Sequence, residues 1–196
     1  MAKGNRGGKY KSSKPSRGQL EYYGEWYGIS TIRDDLGTDD IKEVENTFYS
    51  IQGYTGSDYI GIRDNNPDYK EQADYIERYI KKAPTYNGDI YRGIALDNET
   101  GKNYISQLQK GSQIDMLGIS SWSSDKKVAN NFSTFFTEDN DYKIVFHTKN
   151  KTGVGIAHLS KMPDQQEVLH SSNSRFKVIG VTNISGNSYE VELQEV

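Results

Sequence analysis

Three short pieces of this 196-residue chain carry side chains with chemical potential, and they lie far apart. The first is Tyr91-Arg92-Gly93. The planar fork of an arginine suits bidentate binding of a phosphate, and a glycine beside it lets backbone approach a ligand closely. The second is Ile119-Ser120-Ser121-Trp122-Ser123-Ser124-Asp125, polar just where an apolar run ends. Its hydroxyls suit the capping of a following helix, with Ser124 as the candidate cap, or the orientation of a carboxylate by Ser121. The third is Gln165-Gln166-Glu167, an acid with two amides at the head of the apolar pair Val168-Leu169. Each piece also has a plainer reading: a paired surface arginine, a strand-to-helix junction, an acid at a strand start.

The elements that position these pieces follow from periodicity. Residues 18–28 predict a short aromatic helix packing Tyr22, Tyr23 and Trp26. Thr38 predicts an N-cap, with Asp39 and Asp40 in the first turn and Ile41, Val44, Phe48 and Ile51 at helical spacing. Asn66 and Pro67 open another helix whose inner face is Tyr69, Ala73, Ile76 and Ile80. From residue 89 the period shifts toward two, predicting strands at 89–95, 113–121, 142–149, 153–159, 166–170, 174–182 and 188–195. One helix, at about 125–133, interrupts them, with Val128, Ala129 and Phe132 inward. Helices first and strands after argue for an α+β domain with a mainly antiparallel, two-sheet core.

In their order, the arginine, the serine pair and the late glutamate resemble the Arg-Ser-Glu signature of mono-ADP-ribosyltransferases. That family includes Rho-modifying exoenzymes, the ADP-ribosylating components of binary toxins, and phage-encoded relatives. Its serine motif runs Ser-Thr-Ser, then an Ala and a Phe; here Ser121, Trp122 and Ser123 are followed by Ala129 and Phe132, with Trp122 in place of Thr. Tyr54-Thr55-Gly56-Ser57, Tyr59 and Ile62 resemble the helix end that precedes the family's NAD site. The resemblance covers residues 19–196 and implies the ADP-ribosyltransferase fold, with NAD as a substrate and no metal. It implies that Arg92 grips the NAD phosphates, Gly93 receives the nicotinamide amide, Phe132 flanks the nicotinamide, and Ser121 orients the catalytic Glu167. Arg63 is the candidate for a second phosphate cation, because Phe135 stands where many relatives carry an arginine. Gln165 would recognise the acceptor. In the family a glutamine there accompanies asparagine targets and a glutamate arginine targets, so asparagine is the expected acceptor, with arginine the alternative. The implied partner is a target protein: a small GTPase, actin or a bacterial host factor. A bacterial effector acting in a host cytoplasm and a phage protein acting in the bacterial cytoplasm both fit. An NAD glycohydrolase and a non-catalytic phage structural module of the same fold are the competing readings.

Composition narrows the rest. With no cysteine there is no disulfide, thiol nucleophile or thiolate metal site. His147, His158 and His170 lack metal-ligand spacing, and no GxGxxG follows a strand, so any NAD site is not of the Rossmann type. No apolar run approaches the ~20 residues of a membrane span, and no signal-peptide pattern opens the chain. Residues 1–18 hold six cations and no acid among Gly and Ser, which predicts a disordered basic tail ahead of one domain at 19–196. A solubilising tail or linker remnant outweighs a nucleic-acid or membrane-surface tether there. Residues 4–10 glance at a phosphate-binding loop but have Lys3 and Tyr10 where that loop needs Gly and Ser or Thr.

Overall fold

The computed structural model describes residues 17–196, Phe136 excepted, with side chains described from Gly24 onward. The expected tail, its phosphate-loop-like stretch and the packing of Tyr22 and Tyr23 therefore lie outside the described residues, save that Arg17 and Gly18 open the first helix.

The chain divides into two compact units. Among the described residues, the first unites 17–87, 117–120 and 151–173. Its helices are α1 (Arg17–Leu36), α2 (Ile41–Tyr54), α3 (Tyr59–Arg63) and α4 (Lys70–Lys82). Helix α1 does not stop near residue 28 as expected. Gly28 is the point where α2 crosses: a Cβ there would lie 2.4 Å from the Phe48 ring. The buried face continues through Ile32 and Leu36, and Gly37, at φ 62°, ends the helix. Trp26 lies off that face and is exposed, against expectation. Helix α2 is capped by Asp40, whose carboxylate accepts from Lys42 N and Glu43 N at 3.0 and 3.3 Å; Thr38 instead accepts from Asp40 N, and Ile41 is exposed. Val44, Phe48 and Ile51 are buried as their spacing requires. Asn66 caps a 3₁₀ turn, Pro67–Tyr69, that leads into α4, and Ile76 and Ile80 are buried with Tyr69 and Ala73 packed alongside. This core is completed by Ile119, Ile156, Leu159 and Leu169. The antiparallel pair β5 (Val154–Gly155) and β6 (Glu167–His170) belongs to the same unit; β5 is shorter than the 153–159 strand expected because Ile156 to Leu159 turn away as a loop.

The second unit unites residues 88–116, 121–150 and 174–196. It contains β1 (Asp89–Leu96), β2 (Gln113–Asp115), β4 (Tyr142–Lys149), β7 (Arg175–Ser185), β8 (Ser188–Glu195), and the Ser121–Ser123 part of β3 (Ser120–Ser123). Their order is β2-β7-β8-β4-β1-β3. Every pairing among them is antiparallel except β4 with β8, which is parallel. Trp122 on β3 lies 5.1 Å from Phe176 on β7, so the two ends of this strand order come together. Two helices serve the unit, α5 (Asn98–Gln107) and α6 (Lys126–Thr134). The expected strand at 113–121 is broken, because Leu117 and Gly118 take positive φ of 48° and 76°.

Candidate active site

Arg92 sits in the middle of β1, opposite Phe146 of β4. Its side chain is half-buried, and Nη1 donates to the carbonyl oxygen of Ser121. The structure thus brings together the arginine and the serine motif. Next to Arg92, Gly93 is fixed by packing: a Cβ would lie 1.8 Å from the Ala129 carbonyl oxygen of α6 and 2.8 Å from Ser133 N. The absent side chain lets α6 settle onto the strand, a role the sequence reading did not include.

Ser121 is half-buried, whereas Trp122 and Ser123 are buried. Trp122 packs against the Phe176 ring, filling volume that a threonine would leave open. Ser123 accepts from Asp125 N at 3.0 Å, and Asp125, not Ser124, is the N-cap of α6, accepting from Lys127 N at 2.9 Å. Along α6, Ala129 is buried but Phe132 is half exposed, so Phe132 does not face inward as expected.

In the first unit, Glu167 opens β6 and is only 4% exposed. The turn before it is tight: Pro163–Gln165 form a 3₁₀ turn, and Gln166 takes a left-handed conformation at φ 49°. That reversal sets Gln165 on the loop and Glu167 in the strand, where its carbonyl accepts from Ile156 N at 2.9 Å. Gln165 lines a cleft of about 1020 Å³ together with Glu25, Tyr49, Gln52, Asp58 and Met162; Glu167 does not line it. Arg63 ends α3, its guanidinium 3.5 Å from Asp64 and partly exposed. Among the described residues no cluster of His, Asp or Glu has the makings of a metal site. Among the described residues no helix is long and apolar enough to cross a membrane.

One site neighbour escaped the sequence reading. Tyr104 lies on α5, a helix not expected, edge-on to Phe146 at 6.4 Å. Burial pushes its phenol pKa up, while the positive charge of Arg92 pulls the other way, so Arg92 and Tyr104 share one environment. Asp97 followed by Glu99 was the local signal for α5: Asp97 accepts from Thr100 N at 2.9 Å as its N-cap.

Comparison with known proteins bears on the family and the fold. A family model described as NAD:arginine ADP-ribosyltransferase matches residues 75–196. A putative NAD(+)–arginine ADP-ribosyltransferase of Mycobacterium avium, Mav, is 28% identical over 149 residues, covering 75% of this chain and 16% of its own length. The NAD(+)–protein-arginine ADP-ribosyltransferase Tre1 of Serratia proteamaculans is 26% identical over 156 residues, covering 79% and 32%. The chain therefore spans less than a third of either curated relative. In fold it is similar to Vis toxin, an ADP-ribosyltransferase from Vibrio splendidus, with a TM-score of 0.67 and 18% identity over 95% of this chain and 89% of that one. It is similar also to the ADP-ribosyltransferase HopU1 of Pseudomonas syringae pv. tomato, with a TM-score of 0.63 and 16% identity over 94% and 100%. With the motifs on β1, β3 and β6 and a family model matching well over half its length, the chain belongs to the NAD:arginine ADP-ribosyltransferase family.

Proposed function

We propose that this chain cleaves NAD and transfers ADP-ribose to a side chain of another protein. The observation that carries this reading is Glu167, a carboxylate buried at the start of β6 and placed by the left-handed Gln166 directly after the 3₁₀ turn. In this reading the bond from the nicotinamide nitrogen to the ribose anomeric carbon breaks, and its electron pair leaves with nicotinamide. Glu167 accepts a hydrogen bond from the ribose 2′-hydroxyl and stabilises the cation that forms, a fixed charge in a dry setting. An acceptor nitrogen then bonds to the anomeric carbon and gives up a proton. Arg92 binds the NAD phosphates, and its bond to the Ser121 carbonyl holds the guanidinium in place. Ser121 orients Glu167, Gly93 offers backbone to the nicotinamide amide, the half-exposed Phe132 flanks the ring, and Arg63 supplies a further cation near the phosphates.

The acceptor is an arginine in this reading. Support comes from the family's description, from two relatives named for arginine, and from Vis having been solved with agmatine, itself a guanidine. The cleft beside Gln165 also carries the carboxylates of Glu25, Asp58 and Asp164, which suit a guanidinium. Asparagine is the second reading, favoured by the neutral amide of Gln165. Relatives described as a toxin and as a type III effector support a target in a host cell: a small GTPase, actin or another host factor. We also read residues 19–196 as one catalytic domain and the basic residues before it as an accessory tail.

Nicotinamide release from NAD, followed alongside labelling of a lysate, tests the proposal. A discrete labelled protein is expected, whereas rapid NAD loss without label means a glycohydrolase and no NAD cleavage at all overturns the reading. Glu167→Gln conserves volume and should lower the rate by ~10²–10³ without changing the fold. Retention of more than a few per cent of activity reassigns the carboxylate.

A further inference from the structure

The last turn of α2 and its C-cap are hydrogen-bonded to two chain segments that lead into motifs, the one ending at Ser120 and the loop before β6. Tyr54, 4% exposed, donates its hydroxyl to the carbonyl of Ile119 at 3.1 Å, two residues before Ser121. Thr55 accepts from Lys161 N at 3.0 Å, in the loop between β5 and β6. Gln52 donates from Nε2 to the carbonyl of Leu159 in that same loop. The chain separations are 65, 106 and 107 residues, so nothing local dictates these bonds.

Each bond falls where the backbone needs outside support. Ile119 follows the Leu117–Gly118 bend, which has two positive φ angles and sits so close to Arg63 that a Cβ on Gly118 would lie 2.1 Å from the Arg63 carbonyl oxygen. Tyr54 therefore fixes the path of the chain as it leaves that bend and enters β3. The loop has backbone bonds of its own, Gln165 N to Met162 O at 3.0 Å and Gln166 N to Pro163 O at 3.1 Å. Those set its shape, while the bonds to Gln52 and Thr55 set its place on the helix. The Thr55 hydroxyl serves both sides, donating to Gln52 O at 3.3 Å while accepting from Lys161 N.

We propose that Gln52, Tyr54 and Thr55 are positioning residues for the reaction, with a division of labour. Tyr54 acts through the strand that carries Ser121, and so governs NAD cleavage. Gln52 and Thr55 act through the loop that presents Gln165, and so govern delivery of ADP-ribose to the acceptor. The proposal rests on the function proposed above. A displacement of about 1 Å at a reacting group costs up to ~100-fold in rate, which makes hydrogen bonds of this kind visible in turnover.

The test uses Tyr54→Phe, Thr55→Val and Gln52→Leu, each close in shape to the parent. Nicotinamide release without acceptor and ADP-ribosylation of an acceptor protein are measured in parallel with melting temperature. Thr55→Val should lose roughly tenfold or more in transfer while nicotinamide release stays near wild type, and Gln52→Leu should lose transfer to a similar extent. Tyr54→Phe should lose roughly tenfold in nicotinamide release at nearly constant KM for NAD. Amide exchange at Lys161 should quicken in Thr55→Val and not in Tyr54→Phe, a readout that needs no activity. If all three variants lower both activities in one ratio that follows melting temperature, the residues merely stabilise and the proposal falls. Unchanged exchange at Lys161 overturns it too, even where the wild type proves inactive and the functional reading fails on its own.

Discussion

Replacing Gly93 by alanine adds one methyl group at the most crowded point of β1. That carbon would lie 1.8 Å from the Ala129 carbonyl oxygen and 2.8 Å from both the Ala129 carbonyl carbon and Ser133 N. All three are backbone atoms of α6, so no rotamer change relieves the clash. Normal contact requires α6 to move off the strand by more than ~1 Å. Overpacking of this kind costs about 1–3 kcal/mol and at times more. For a chain of this length each kcal/mol shifts the melting temperature by about 2–4 °C, so a drop of roughly 2–12 °C is expected. Arg92 is the next residue, and its displacement should lower nicotinamide release by up to ~100-fold. Calorimetry without NAD gives the first number, and turnover well below the melting temperature gives the second. A variant that melts within about 1 °C of wild type refutes the packing argument. Unchanged stability with weakened NAD binding would mean that Gly93 serves the ligand alone.

Trp122→Thr, which restores the residue usual in the family, should destabilise by about 3–5 kcal/mol because it empties the space against Phe176; a loss under ~1 kcal/mol in denaturant titration would show that the site collapses freely. The Asp97 carboxyl is held below its usual range by hydrogen bonds from Thr100, first from its side chain and then from its backbone. A lowered folded pKa means that this cap is fully effective above the unfolded carboxyl's pKa and is lost as pH falls through the folded one. A carboxyl-carbon titration midpoint at or above ~3.9 for Asp97 would contradict that. Gln165→Glu should leave nicotinamide release close to wild type and raise transfer to guanidine acceptors, read by mass-spectrometric mapping of the modified residue. Loss of NAD cleavage with an unaltered acceptor profile would remove Gln165 from acceptor recognition.

The order of elements was legible because period and turn chemistry are local. Ile76 and Ile80 of α4, and the apolar run Ile144-Val145-Phe146 of β4, announce themselves within a few residues. The motifs were legible for a different reason: residue type in a fixed order survives even when contacts are unknown. What escaped depends on distant partners. Gly28 reads as a helix stop until the Phe48 ring is seen against it, and Gly101 conceals α5 until Tyr142 is seen to fill the space beside it. Gly101 is also the one buried residue of α5, so no apolar stripe marks that helix. The break at Leu117–Gly118 answers to the Arg63 carbonyl more than fifty residues upstream. Between Thr38 and Asp40, both good caps, only the observed start at Ile41 decides. In the loop before β6, Gln165 read alone points to an amide while the family description points to a guanidinium, and one side chain is too little surface to decide between them.

Neither unit is a continuous length of chain, and this imposes an order on synthesis. Helices α1 to α4 leave the ribosome first, yet the apolar faces of α2 and α4 share a core with Ile119, Ile156, Leu159 and Leu169. At ~5–20 residues per second, roughly 4–17 s separate the end of α4 from Leu169, and throughout that interval those faces lack part of their cover. A nascent chain of this design offers chaperones an open helical surface. It also carries no complete set of its three motifs until Glu167 is made, ahead of β7 and β8. The gene cannot be cut into two separately expressible pieces that match the units, since each is assembled from three segments that alternate along the chain.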